Sequence, residues 1–273
     1  MVRVVLFLLS VLSWAGLYEP SRLLYGHVSP GTGSLEEWYL RSLLSAGVSE
    51  VLLPGYVGKS MLTGPIASWQ NDFSDSQRST LRQFARQKKN RLYMIVDASV
   101  TLDARAGTDA CSLAQALKLD GVLFALGSNT AGVRDALTSC AQFVDWTGTI
   151  TPSQVSSPAV ATGAADYERH IVAFSLSDFA SNRSLADAMP GVPESLLVAG
   201  TICEGQVCPA ELLKLPLNDN GIYLGNIPSP ADANLEQFLT TTLPDINGLL
   251  DDDDRKATPA SPESGGAICK PRH

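Results

Sequence analysis

Short apolar runs alternate with amphipathic stretches along the chain, at a spacing of roughly 25 residues. Each run is apolar on both faces and is bounded by Gly, Pro, Asp or Ser, as is typical of strands buried in a parallel sheet. The runs are Leu24–Ser29, Glu50–Gly55, Leu92–Ala98, Gly121–Leu126, Thr147–Thr151, Ile171–Leu176, Leu196–Thr201 and Gly221–Gly225. Eight such strands with crossover helices predict an α/β fold, a single (β/α)8 TIM-type barrel.

The stretches between these strands carry apolar residues at helical spacing. The predicted helices are Leu35–Ala46, Ser76–Lys88, Leu113–Leu119, Val133–Cys140 and Leu235–Leu243. Gly47 is placed to end the first helix, because glycine readily adopts the left-handed conformation common at helix ends.

An open doubly wound sheet is the alternative arrangement of these units. The glycine-rich phosphate-binding loop that marks such sheets does not follow the first predicted strand.

Residues 1–16 have the features of a secretory signal peptide. Arg3 precedes an apolar run from Val4 to Leu12, and small residues precede a cleavage point after Ala15. Charged residues follow too early for a membrane anchor, which needs about 17–25 apolar residues. The sequence therefore predicts a secreted protein with no membrane span.

The last part of the chain, residues 249–273, changes in composition. Four consecutive aspartates, Asp251–Asp254, precede a stretch rich in Pro, Ser and Gly. This composition predicts a disordered acidic tail, because the segment has too few apolar side chains to form a core. The barrel domain is therefore expected to span residues 17–248.

Charge and cysteine content restrict the partners and the cofactors. Acidic residues outnumber basic ones by 28 to 20, giving a formal net charge of -8, which disfavours nucleic acid as a partner. Five cysteines in an exported chain predict disulfides, with Cys111–Cys140 and Cys203–Cys208 as the plausible pairs and Cys269 left over. Asn182 begins the glycosylation sequon. We expect a monomer with no metal and no cofactor.

The fourth predicted strand carries a resemblance to a known family. Leu119–Gly127 directly follows a helix and resembles, in spacing and context, the D-G-x-D-x-D-x-E motif of glycoside hydrolase family 18, the chitinases and chitinase-like lectins. Asp120 and Gly121 are retained, whereas Leu123 and Ala125 stand at the two inner aspartates and Gly127 stands at the glutamate. In that family the glutamate protonates the glycosidic oxygen. The resemblance therefore implies a chitinase-like barrel without the family's hydrolytic groups.

Other segments follow the order and spacing of the same family over about residues 23–245. Gly148–Ser153 is similar to its fifth-strand segment, and Ser177–Phe179 resembles its sixth-strand segment without the tyrosine. Tyr223 stands where an aromatic residue usually forms the floor of the sugar site. The resemblance thus implies binding of N-acetylglucosamine-type glycans.

Catalytic and binding groups of a barrel stand at the carboxyl ends of its strands. The polar residues predicted there are His27, Tyr56, Asp97, Asp178, Glu204, Tyr223 and Asn226. Asp97 and Asp178 form the strongest carboxylate pair, although each is equally suited to cap a loop. Glu204 would be a displaced acid. The preferred ligand-binding residues are His27, Tyr56, Asp178 and Tyr223, with the tyrosines as platforms for sugar rings.

The histidines do not assemble into a triad or a metal site. His27 ends the first predicted strand, His170 precedes the sixth and His273 lies in the tail.

Three hypotheses for the function follow from the sequence. The first is a non-hydrolytic, glycan-binding or interaction protein, the second is a glycosidase that uses Asp97, Asp178 or Glu204, and the third is a secreted barrel scaffold without a sugar site.

Overall fold

The computed structural model describes residues 23–29, 36–55, 79, 82–84, 86, 91–127, 130–152, 168–174, 192, 197–201 and 221–251. Several sequence predictions concern residues outside these ranges. They are the signal peptide, most of the predicted helix Ser76–Lys88, the pair Cys203–Cys208, Cys269, the glycosylation site Asn182, and the tail beyond residue 251.

Eight parallel strands form a closed barrel in chain order. They are β1 (Leu24–Val28), β2 (Glu50–Pro54), β3 (Arg91–Val96), β4 (Gly121–Ala125), β5 (Trp146–Pro152), β6 (Glu168–Phe174), β7 (Leu197–Thr201) and β8 (Ile222–Ile227). The last strand pairs with the first, with Tyr223 level with Tyr25. The predicted TIM-type barrel is confirmed, every strand lies within three residues of its predicted limits, and the open-sheet alternative is wrong because the sheet has no free edge.

The helices are α1 (Glu37–Ser45), α2 (Ala104–Leu117), α3 (Val133–Cys140), α4 (Leu235–Gln237) and α5 (Leu243–Asp251), with a π-helical turn, Phe238–Thr242, joining the last two. Gly47 follows α1 with a φ of 103°, as the sequence predicted. Helix α2 begins nine residues before its predicted start, where the carboxylate of Asp103 accepts a hydrogen bond from the Ala106 amide. Helix α5 extends past the predicted domain end at residue 248.

Alternation along each strand divides the apolar side chains between two cores. The inner core fills the barrel and contains Tyr25, Leu52, Tyr93, Ile95, Leu123, Ile150, Ile171, Ala173, Val198 and Tyr223. The outer core lies between the sheet and the helices, where Val122 and Phe124 of β4 face the helical layer. Strand β4 is therefore apolar on both faces, as its sequence predicted.

His170 is the third residue of β6, so the prediction that it precedes this strand is wrong. Its ring is fully buried, and its Nδ1 lies 3.0 Å from the hydroxyl oxygen of Thr149 on the neighbouring strand. The pair faces away from the inner core, since Val172 and Phe174, two and four residues further along the strand, belong to the outer core. The contact joins two strands and lies outside the barrel interior.

Cys111 of α2 and Cys140 of α3 form a disulfide with a Cα–Cα distance of 5.3 Å. The prediction of this pair is confirmed. Both cysteines are fully buried in the outer core, where the bond links two packed helices.

Among the described residues, no helix has the length and apolar content that crossing a membrane requires.

Candidate functional site

The carboxyl end of the barrel carries a hydrogen-bonded pair formed by His27 and Tyr223. The imidazole Nδ1 lies 2.9 Å from the phenol oxygen, and the ring centroids are 6.2 Å apart. His27 is the fourth of the five residues of β1. Tyr223 is the second residue of β8, so its predicted place at the strand end is wrong, because β8 continues to Ile227. Its hydroxyl reaches up from the inner core to His27.

Both members of this pair are uncharged at neutral pH. Burial lowers the pKa of His27 to about 4, because an imidazolium would lose its hydration inside the barrel. Burial also raises the pKa of Tyr223, because a phenolate would likewise lose its hydration there. The pair therefore offers neutral hydrogen-bonding groups beside a flat aromatic ring, and it carries no charge that would attract an ion.

A β-bulge in β8 lies next to this pair. Gly26 pairs with Leu224 and Val28 pairs with Ile227, so Gly225 and Asn226 together stand opposite His27. Asn226 has a φ of 56°, which is a left-handed conformation that few residues other than glycine adopt without strain. Bulges and left-handed residues concentrate beside functional sites. The sequence placed Asn226 at a strand end, and the Gly-Asn dipeptide was the available signal for the bulge.

The inner positions of β4 lack the groups that a chitinase needs. Leu123 is buried in the inner core, Ala125 packs against that core, and Gly127 follows the strand with no side chain. Among the described residues, a Cβ atom at Gly127 would meet Ala98 alone, at 3.5 Å or more, which is ordinary contact distance. The fourth strand therefore presents an apolar surface to the barrel interior where the resembling family has three carboxylates.

Asp120, the aspartate retained from the family motif, lies at the amino end of the barrel, just before β4. Its carboxylate accepts a hydrogen bond from the Leu92 amide at 2.9 Å and lies 3.4 Å from Arg91. Burial raises the pKa of Asp120, and these two donors partly offset that rise. Asp120 is thus a structural link between β3 and β4, far from the carboxyl end.

Asp97 follows β3 and is exposed. Its carboxylate accepts a hydrogen bond from the Ser99 amide at 2.8 Å, and its carbonyl oxygen accepts one from the Val100 amide at 3.1 Å. This is the geometry of a carboxylate that closes its own turn. The capping alternative given for Asp97 agrees with these contacts.

The other predicted site residues, Tyr56, Asp178 and Glu204, lie outside the described residues. The pairing of Asp97 with Asp178 therefore stays a prediction. Within the ranges that the structure describes, no three His, Cys, Asp or Glu side chains come together to hold a metal ion.

Neither a protein-family model nor a curated protein matches the chain. Its fold is similar to solved structures of metabolic enzymes. The tryptophan synthase alpha chain of Legionella pneumophila subsp. pneumophila aligns over 84% of this chain and 92% of its own, with a TM-score of 0.51 and 11% identity. Orotidine 5'-phosphate decarboxylase of Pyrococcus horikoshii OT3 aligns over 83% of this chain and 100% of its own, with a TM-score of 0.51 and 9% identity. At these identities the similarity shows a TIM-type barrel alone.

Proposed function

We propose that this chain is an exported, chitinase-like barrel that binds an N-acetylglucosamine-type glycan at the carboxyl end of its strands without hydrolysing it. The observation that carries the proposal is the neutral His27–Tyr223 pair, in a barrel whose fourth strand has no carboxylate on its inner face. Binding without the catalytic acid is the function that this combination supports best.

The ligand class follows from the chemistry of the pair. Sugars are neutral and carry many hydroxyl groups, so they pair well with uncharged donors and acceptors and stack on tyrosine rings. The pair supplies no positive charge to an anionic substrate such as a phosphate ester, because burial keeps His27 neutral above a pH of about 4. The pair therefore favours a glycan over a charged metabolite.

Hydrolysis by other carboxylates is the weaker candidate. Glycosidases need one carboxyl group that protonates the leaving oxygen and a second group that attacks or activates water. Asp97 already accepts the Ser99 amide within its own turn. Its carboxylate is exposed, which is the opposite of the desolvated environment that a general acid requires.

Export is supported by two independent features. Residues 1–16 have the charge and the apolar run of a signal peptide. The Cys111–Cys140 disulfide suits an oxidising compartment, since such bonds are rare in the cytosol. Both features agree with a protein that meets glycans outside the cell.

The proposal is tested by thermal unfolding of the purified chain with N-acetylglucosamine oligomers. A ligand that binds only the folded state stabilises it by about 2.7 kcal/mol at 100 times its Kd, which raises Tm by roughly 5–10 °C for a domain of this size. Tyr223→Phe removes the hydroxyl that contacts His27 and should weaken binding about tenfold. Tyr93→Phe, which removes a buried tyrosine hydroxyl at the opposite end of the barrel, should leave glycan affinity unchanged.

Two results would contradict the proposal. The absence of any Tm shift with all oligomers would favour a barrel scaffold without a sugar site. Release of reducing sugar from chitin oligomers by the unmodified chain would show that the barrel hydrolyses its ligand and would favour the displaced carboxylates.

A further inference from the structure

A cavity of about 250 Å³ lies at the amino ends of the strands, opposite the glycan site proposed above. Its walls include the aromatic side chains of Tyr25, Tyr93 and Trp146, and Leu123 closes it toward the inner core. The charged residues among its described walls are Glu50 and Arg91.

The register of the strands explains why these groups meet. Tyr25 pairs with Glu50, and Glu50 pairs with Arg91, so the three stand in one row across β1, β2 and β3. On the next strands Tyr93 pairs with Gly121, and Gly121 pairs with Trp146. Gly121 has no side chain, and Trp146 packs directly against its Cα, so this row brings Trp146 toward Tyr93 across β4.

Among the described residues, carboxylates outnumber cations around the cavity. Arg91 interacts with two carboxylates, those of Glu50 and Asp120, and lies 3.4 Å from the second. Tyr93 donates a hydrogen bond from its hydroxyl to Glu50, and burial together with this carboxylate raises the pKa of Tyr93. One guanidinium therefore faces two carboxylates, and the excess negative charge lies on the cavity side at Glu50.

An ionised carboxylate is energetically unfavourable at this position. Glu50 is only 7% exposed, and burial of an ionised group costs more than burial of an apolar side chain of similar size. Barrel interiors are ordinarily filled by branched apolar residues. Here an acid and three aromatic rings surround unfilled space, which is the combination that recognises organic cations: the rings present their negative faces and the acid supplies the opposite charge.

We propose that this cavity binds a small organic cation of the alkylated ammonium class. The cation lies among the rings of Tyr25, Tyr93 and Trp146, and its charge is balanced by Glu50. An anion is disfavoured, because Arg91 is already paired with Asp120 and the nearest buried charge is negative. This binding is independent of the glycan site and predicts a second ligand for the same barrel.

The test compares choline with dimethylbutanol, its uncharged carbon isostere, by isothermal titration calorimetry and by thermal unfolding of the purified chain. Choline should bind and raise Tm, while dimethylbutanol should bind about tenfold more weakly, because it fits the rings but lacks the charge. Glu50→Gln keeps the shape of the side chain and should lower choline affinity about tenfold. Asp135→Asn removes an exposed carboxylate on α3 and should leave that affinity unchanged.

The comparison of choline with dimethylbutanol uses the unmodified chain, so it tests the preference for a cation even if Glu50→Gln does not fold. Equal affinity for choline and dimethylbutanol would overturn the proposal, as would the absence of binding by choline. A folded Glu50→Gln variant that binds choline as well as the unmodified chain would also overturn it. Binding of inorganic phosphate in place of choline would assign the cavity to anions through Arg91.

Discussion

His27 and Tyr223 are 196 residues apart in the sequence, yet their side chains share a 2.9 Å hydrogen bond inside the barrel. His27 belongs to the first strand and Tyr223 to the last, and these two strands pair to close the sheet. The contact therefore exists only in the closed barrel. Any ligand that uses both groups must bind the folded state in preference to the unfolded chain, which is the basis for detecting it by thermal unfolding.

The lowered pKa of His27 makes the stability of the barrel depend on pH. In the unfolded chain an imidazole binds a proton below a pH of about 6.5, whereas burial lowers the folded-state pKa to about 4. The unfolded state therefore binds more protons in this window, and the free energy of unfolding falls as the pH drops from about 6.5 to 4. The loss is on the order of 3 kcal/mol between pH 7 and 4, measured by urea unfolding at each pH.

His27→Gln isolates this effect, because it removes the titrating group while other acidic residues titrate as before. The variant should lose less stability over the same window. Tyr223→Phe should keep the full pH dependence, since burial, and not the hydrogen bond, lowers the pKa of His27. Parallel stability curves for the unmodified chain and His27→Gln would contradict the assignment.

The barrel could be predicted from the sequence because its evidence is repetitive. Eight short apolar runs bounded by Gly, Pro, Asp or Ser each contribute the same signal, so an error of two or three residues at one strand leaves the architecture unchanged. The buried pair Cys111–Cys140 could also be proposed, because few cysteines were available to pair. His170 was misplaced because a strand that starts with charged residues, Glu168 and Arg169, carries no apolar signal at its beginning.

The site was less predictable, because it depends on contacts between distant segments. Tyr223 was recognised as a candidate, but its hydrogen bond with His27 depends on how β1 and β8 align, which no local pattern encodes. The cavity beside Glu50 was missed for a related reason. Its residues lie near the amino ends of their strands, whereas barrel sites ordinarily lie at the carboxyl ends.

At Asn226 we expect the glycine variant to be more stable than the alanine variant, which is the reverse of the order in a regular strand. Its φ of 56° costs a residue with a Cβ roughly 1–2 kcal/mol, and asparagine relieves part of this cost through its short polar side chain. Asn226→Ala should therefore destabilise the protein by about 1 kcal/mol, while Asn226→Gly should be near neutral. Within a regular strand the order would be the opposite. Urea unfolding of the two variants measures the difference.

Lys118 offers a matched control away from the site. It ends α2 with a φ of 64° and is exposed. Lys118→Gly should stabilise the protein by about 0.5–1 kcal/mol relative to Lys118→Ala. Because both positions have a positive φ, equal stability of the alanine and glycine variants at Lys118 would contradict the backbone explanation.

The Cys111–Cys140 disulfide should contribute strongly to stability. It closes a loop with a sequence separation of 29, for which restriction of the unfolded chain corresponds to about 3–4 kcal/mol. Reduction should therefore lower Tm by roughly 10 °C. The double variant Cys111→Ala, Cys140→Ala should already have the lower Tm and should not respond to reductant. A Tm of the unmodified chain that is insensitive to complete reduction, verified by thiol alkylation, would contradict this role.

Gly121, the first residue of β4, and Gly127, two residues beyond its end, should respond differently to substitution. A Cβ at Gly121 would overlap the carbonyl oxygen of Trp146, which is backbone and cannot easily move, so Gly121→Ala should destabilise the barrel by about 1–3 kcal/mol. A Cβ at Gly127 would lie 3.5 Å from the nearest atom of the described part of the chain, the carbonyl oxygen of Ala98. Gly127→Ala should therefore change the stability by less than about 0.5 kcal/mol, with urea unfolding as the measurement for both.

The space at Gly127 also allows the family's acid to be restored. We expect Gly127→Glu to fold, because its Cβ would meet no described atom closer than 3.5 Å. It should release no sugar from chitin oligomers, since a general acid needs a second group that orients the substrate, and Leu123 and Ala125 supply none. Hydrolysis by this single variant would show that another carboxylate of the chain already performs the orienting role, and it would make the Asp97 and Asp178 positions the next to substitute.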